Sequence, residues 1–286
     1  MPSDWRGRAV IAPLVLALGA GLLSGCASSF ASGSTTPDGA IVAIGAENQY
    51  ADVIQAVGGK YVQASAVMSN PSTDPHTFEA SPSVGRLVNA ARLVVQKLLG
   101  LPDSTPNPHL WYQPGTMAAV ANAIAADLAA IQPDHGAYFK ANAALLTESL
   151  GRLTSAIAAF RASYPGTPVA TTEPVADYLL QAAGADNLTP WAFQADVMNG
   201  TDPSAQDVAV GRSLFTQHKV KVLLYNQQVT DSLTESFIAL ARANGIPVVG
   251  VYETMPEPGY HYLSWMLAEV QDLRKAVAGH VSSEHL

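Results

Sequence analysis

The chain has 286 residues, of which 48% are hydrophobic and 13% charged, and its formal net charge is −8. The apolar share excludes a disordered chain. The acidic balance argues against a nucleic-acid partner, because phosphate binding needs a basic surface.

The N-terminal stretch reads as a secretory signal. Arg6 and Arg8 give a positive start, Val10 to Leu23 form an apolar core, and Leu23-Ser24-Gly25-Cys26 places small residues before the single cysteine. At about 14 residues this core is shorter than the roughly 20 that span a bilayer. Residues 1–25 are therefore expected to be a lipoprotein signal peptide. Cys26 would remain as a lipid-bearing first residue that holds the chain to the membrane surface, outside the cytoplasm. The alternative, an ordinary signal followed by an incidental cysteine, fits the position and flanks of Cys26 less well. Residues 26–39 are Ser, Thr, Gly, Pro and Ala without apolar periodicity, the composition of a flexible tether.

From Ala40 onward, short β-branched runs alternate with longer Ala- and Leu-rich stretches at helical spacing. Strands are expected at Ile41–Ala46, Tyr61–Met68, Leu93–Gln96, Pro168–Thr172, Val220–Tyr225 and Ile246–Tyr252. Helices are expected at Tyr50–Val57, Pro82–Ala90, Thr116–Ile131, Pro174–Ala183, Ser204–His218, Ser232–Ala243 and Tyr260–Ala278. His135–Tyr164 runs without proline, carries Leu145, Leu150, Leu153, Ile157 and Phe160 at helical spacing, and stops at Pro165-Gly166. As one helix it would be about 45 Å long; as a hairpin it would break near Gly151. The pattern predicts an α/β fold with two lobes of largely parallel sheet, at 40–134 and 167–286, joined by a long backbone helix at 135–166. In such sheets ligands bind beyond the carboxyl ends of the strands.

Two of the seven histidines lie in nearly the same phrase, Asp74-Pro75-His76-Thr77-Phe78-Glu79 and Asn107-Pro108-His109-Leu110-Trp111-Tyr112. Each proline stiffens the backbone beneath its imidazole, which lowers the entropy a metal ligand loses on binding. Asp74 and Asn107 are placed to bond locally and fix the ring nitrogens. For one such histidine a capping role would suffice, but the repeated context favours ligation. Glu173 follows the strand ending at Thr172 and precedes Pro174, where a helix N-terminus would favour the ionised carboxylate. Glu253 follows the strand ending at Tyr252. A helix cap or a solvated strand end is the plainer role for either acid. Two imidazoles and two carboxylates together suit zinc or manganese.

These phrases resemble the metal-binding solute receptors of bacterial ABC transporters, which deliver zinc or manganese to a membrane permease. The resemblance runs from about Ile41 to Leu273 and rests on Gly45-Ala46-Glu47-Asn48, the two histidine phrases, Glu173 at its strand end, and Glu253-Thr254-Met255-Pro256 before Tyr262 and Trp265. It implies one divalent ion held between two α/β lobes by His76, His109, Glu173 and Glu253, with Glu257 competing for the last place and Glu47 facing the same cleft behind the ligands. His261 is expected to be exposed on a helix face. The implied partners are an ABC permease and its ATPase, with capture and delivery but no chemical turnover, and a monomeric state is assumed.

The chain departs from the family pattern in two ways. The His-rich loop of zinc-specific members is missing, which with Glu173 leans towards manganese. A helix and a strand are also missing after Gln96, so the first sheet is expected to have an open edge, with His109 at risk of falling short of His76. Two other classes compete with the receptor reading. A metal-dependent hydrolase would need an open metal position and a base such as Glu47 or Glu257, but no nucleophile elbow or His-Glu-x-x-His run appears. A surface adhesin or a receptor for a metal-free solute would leave the histidine phrases without a purpose.

Overall fold

The computed structural model describes residues 36, 39–95, 106–256 and 259–286. The signal, Cys26, nearly all of the tether and the stretch after Val95 lie outside these residues, as does Glu257.

The first lobe is built on a parallel sheet of order β2-β1-β3, from β1 (Ile41–Glu47), β2 (Val62–Met68) and β3 (Leu93–Val95). Helices α1 (Asn48–Gly58), α2 (Pro82–Ala90) and α3 (Thr116–Ile131) complete it. Proline at the first turn of α2 loses no hydrogen bond there, since that N–H has no partner inside a helix. At Gly45 the chain turns from β1 towards α1 so closely that a Cβ would sit 2.5 Å from the Ala51 nitrogen. The Gly45-Ala46-Glu47-Asn48 phrase is thus a steric requirement. Among the described residues β3 lies at the sheet edge, with Val94 43% exposed.

Helix α4 (Gly136–Ser163) is unbroken over 28 residues, about 42 Å at 1.5 Å per residue. Gly151 lies on its exposed side, where an added Cβ would meet nothing within 4 Å, so no break forms there. The buried face runs through Phe139, Ala143, Leu150, Leu153, Ile157 and Phe160. Leu145, expected on that face, is instead 64% exposed, because the stripe passes through Ala143 and Leu146.

The second lobe carries a parallel sheet of order β5-β4-β6-β7, from β4 (Thr167–Thr171), β5 (Ala185–Asn187), β6 (Leu223–Asn226) and β7 (Val248–Val251). Its helices are α5 (Asp177–Ala182), α6 (Trp191–Met198), α7 (Ala205–Thr216), α8 (Ser232–Ala243) and α9 (Tyr262–Gly279). Ser204 caps α7, and Asp231 with Thr234 forms a capping box on α8. Successive strand residues point to opposite faces, so each strand feeds two cores. Val169, Leu224, Val249 and Val251 join a core that continues through α4 and α9 into the first lobe. Ala170, Leu223, Tyr225 and Val248 pack beneath α6, α7 and α8, around Phe193, Phe215 and Phe237. The tail returns along β7, with Ser283 bridging Val249.

Candidate metal centre

His76 lies within a short 3-10 turn and His109 caps the start of another. In the turn Pro75–Thr77 the Asp74 carboxylate accepts from the His76 backbone N–H at 2.8 Å and from the Thr77 hydroxyl at 3.1 Å. His109 precedes the turn Leu110–Tyr112 and is fully buried. Asn107 does for it what Asp74 does for His76: its Oδ1 accepts from the His109 backbone N–H at 3.0 Å and lies 2.7 Å from Nδ1. That contact assigns the proton to Nδ1 and leaves Nε2 free as a donor to an ion. Asn107 is itself held by the second lobe, donating to the Pro174 carbonyl at 2.7 Å.

The second lobe supplies carboxylates from the carboxyl ends of its strands. Glu253, 1% exposed just beyond β7, places Oε2 at 3.2 Å from His76 Nε2 and 3.3 Å from His109 Nε2. The contact with His109 lies outside hydrogen-bond geometry, so His109 Nε2 is a buried ring nitrogen without a partner. One ligand atom each from His76, His109 and Glu253 lie within 4.8 Å of one another, close enough to share an ion. Glu173, 2% exposed beyond β4, stands beside this trio rather than within it. The Asn226 amide joins the two acids, donating to Glu253 Oε1 at 2.6 Å and to Glu173 Oε2 at 3.2 Å. Glu173 Oε1 is buried without a partner.

The proton inventory follows from this layout. Burial alone would raise the Glu253 carboxyl, but the imidazoles of His109 and His76 set against it prevail and hold it at about 2. For Glu173 the balance is reversed: burial, reinforced by the Glu253 charge, outweighs the Asn226 hydrogen bond and the His76 charge and pushes it up to about 8. Burial lowers His76, yet Glu253, Glu173 and Asp74 together raise it above the usual imidazole value. Glu47, at the end of β1, is pushed to about 7, chiefly by burial and further by the Glu253 charge. Near neutrality the cleft therefore holds the ionised Glu253 carboxylate against two imidazoles, with Glu173 mostly protonated and Glu47 about half so. This overturns the expectation that a helix N-terminus ionises Glu173. α5 begins at Asp177, three residues after Pro174, and burial decides.

The family model described as "ZnuA: Zinc-uptake complex component A periplasmic" matches residues 102–276, more than half of the chain. The chain belongs to the ZnuA family. Solved structures of similar fold include a crystal structure of ZnuA (20% identity, TM-score 0.69, covering 84% of this chain and 100% of that one). The periplasmic zinc-binding protein TroA from Treponema pallidum is similar at 16% identity and TM-score 0.68, covering 85% and 100%. The laminin-binding protein Lmb of Streptococcus agalactiae is similar at 16% identity and TM-score 0.70, covering 83% and 99%. At these identities the likeness shows the fold, in agreement with the two parallel sheets and the long helix above. No curated protein matches the chain in sequence.

Within this ZnuA-type frame the two histidines do meet, with ring centroids 5.6 Å apart, so the short connection after Gln96 does not keep His109 from His76. His261 is 81% exposed, at the cap of α9, where its Nδ1 lies 2.6 Å from the Asp52 carboxylate. Glu47 faces the Glu253 charge and leaves Oε2 buried without a partner. Three amides were missed in the sequence, Gln49, Asn226 and Gln228, which bond to Glu253 or to its neighbours. The available signal was the polar run Asn226-Gln227-Gln228 at the carboxyl end of β6, the edge at which parallel sheets bind ligands.

Proposed function

We propose that the chain captures one divalent transition-metal ion, zinc or manganese, between its lobes and delivers it to an ABC permease driven by its ATPase. The ligands in this reading are His76, His109, Glu173 and Glu253. The observation that carries it is the convergence of His76, His109 and Glu253 on one point from two lobes. His76 keeps a side chain 23% exposed and is the entry side, while His109 and Glu253 form the buried floor. The ion enters between the two imidazoles and the ionised Glu253 carboxylate, and Glu173 gives up its proton to close the set. Two nitrogens and two oxygens suit zinc and manganese alike. The family is one of periplasmic uptake components, in line with an extracytoplasmic receptor rather than an enzyme. Lipid anchoring through Cys26 belongs to the same proposal. Among the described residues no helix is long and apolar enough to cross a membrane.

Elemental analysis and competitive titration with zinc and manganese test this on the chain from Ala27 onward, beside a His76→Ala/His109→Ala double variant. One tightly held ion in the parent, lost in the folded double variant, is the expected result and names the metal. A folded parent that holds neither ion, or a double variant that holds it as well, overturns the reading.

A further inference from the structure

The segment 69–81, which carries His76, joins β2 to α2 with no residue fully buried. Its hydrogen bonds are mostly internal: Thr73 N–H to the Asn70 carbonyl, Ser72 N–H to Asn70 Oδ1, and the Asp74 contacts. Among the described residues, two polar contacts tie it to the second lobe. One is the His76–Glu253 pair, which an incoming ion must part. The other is made by Gln228, 8% exposed just beyond β6, whose Nε2 donates to the Thr73 carbonyl at 3.0 Å.

Gln228 uses its whole carboxamide. Nε2 also donates to Thr254 Oγ1 at 2.8 Å, while Oε1 accepts from the backbone N–H groups of Glu253 at 2.6 Å and Thr254 at 3.0 Å. Its own N–H donates to Asn226 Oδ1 at 2.9 Å, and the Asn226 amide holds both acids. A side chain with every donor and acceptor engaged is fixed in place. It spans the two lobes beside the His76–Glu253 pair, joining the His76 segment to the Glu253 strand end.

We infer that Gln228 is a positioning residue for metal retention: its carboxamide ties the His76 segment to the Glu253 strand end and so sets how fast the ion leaves. This rests on the receptor reading above, but its first test needs no metal. In Gln228→Met, which keeps the side-chain length and removes the amide, backbone amides of residues 69–77 in the metal-free protein should exchange hydrogen about 3- to 10-fold faster, the scale of one net hydrogen bond. Amides of α8 should be unchanged. With zinc loaded, dissociation into excess chelator should accelerate by the same factor while the association rate stays constant. Thr254→Val, which removes only the hydroxyl contact, should leave exchange in 69–77 as in the parent. If Gln228→Met does not fold, Gln228→Glu replaces it: the acid still accepts from both N–H groups, can accept from the Thr254 hydroxyl in place of donating to it, and denies the Thr73 carbonyl its donor. Its exchange in 69–77 should rise likewise. Unchanged exchange in 69–77 in the folded variant overturns the inference whatever the metal affinity does. Accelerated exchange with unaltered zinc dissociation restricts Gln228 to the fold and overturns its role in retention. A parent that binds no zinc defeats the receptor reading separately.

Discussion

Glu173→Gln asks whether capture expels a proton from a named carboxyl. Burial and the Glu253 charge hold Glu173 at about 8, so at pH 7 it is about nine-tenths protonated before the ion arrives. A coordinating carboxylate must be ionised, and binding should therefore release about 0.9 proton from this residue at pH 7 and about 0.5 at pH 8. The raised value also fixes the sign of the pH dependence. Below about 8 the proton competes with the ion, so the Glu173 contribution to affinity falls as pH falls, by about 50-fold between pH 8 and pH 6. Calorimetric titration with zinc in buffers of different ionisation enthalpy counts the protons directly. The parent chain should release close to one proton more than Glu173→Gln at pH 7, and its affinity should depend more steeply on pH. Equal proton release in the two proteins would refute the reasoning, for Glu173 would then either be ionised already or take no part in capture.

Three further outcomes are expected. Asn107→Ala removes the group that orients His109 and should weaken zinc binding by about 10- to 100-fold in a competitive titration, as loss of outer-sphere hydrogen bonds to metal-binding histidines does; unchanged affinity would mean the ring needs no such support. Asn226→Ala strips a shared donor from two buried acids and should cost about 1–3 kcal/mol in urea unfolding of the metal-free protein; a loss too small to measure would mean water replaces the amide without cost. Glu269 lies in the core of α9, and burial pushes it to about 8 despite hydrogen bonds from Trp265 and Tyr112. The folded state therefore keeps a proton that the unfolded state releases above about 4.5, so this contribution declines as pH rises from about 4.5 to 8 and is flat beyond. Urea midpoints of the metal-free protein measured across that window should fall less in Glu269→Gln than in the parent, and parallel profiles would count against a buried neutral Glu269.

Long elements and the two histidines were legible because their signals are local. α3 and α8 keep the residues their apolar periodicity predicts, and α2 starts at the proline that marks it. β5 was not legible: Ala185-Asp186-Asn187 has no strand character of its own and is a strand only because β4 lies beside it. α6 escaped as well, because Trp191-Ala-Phe-Gln-Ala-Asp-Val-Met is too short for a clear period and starts directly after Pro190. At the site, the stiff Pro-His phrases pointed to His76 and His109, and the strand ends to Glu253 and Glu173. The amides that hold them come from distant parts of the chain and satisfy donors and acceptors created only by folding. Nothing in the spacing of Gln228 announces that it will meet Thr73, 155 residues away.

α4 also bears on which changes of length this chain can absorb. It packs against α1, α3 and α9, and its apolar stripe runs without a break from Phe139 to Phe160. One residue inserted near Gly151 would turn everything beyond it by about 100° and carry Leu153, Ile157 and Phe160 away from their neighbours. The shortest changes that nearly preserve the azimuth are about seven residues, two full turns, and those shift the second half by about 10 Å along the axis. Heritable gain and loss of sequence should therefore collect in turns such as 199–204 and be purged from the strut, which acts as a ruler between the two lobes.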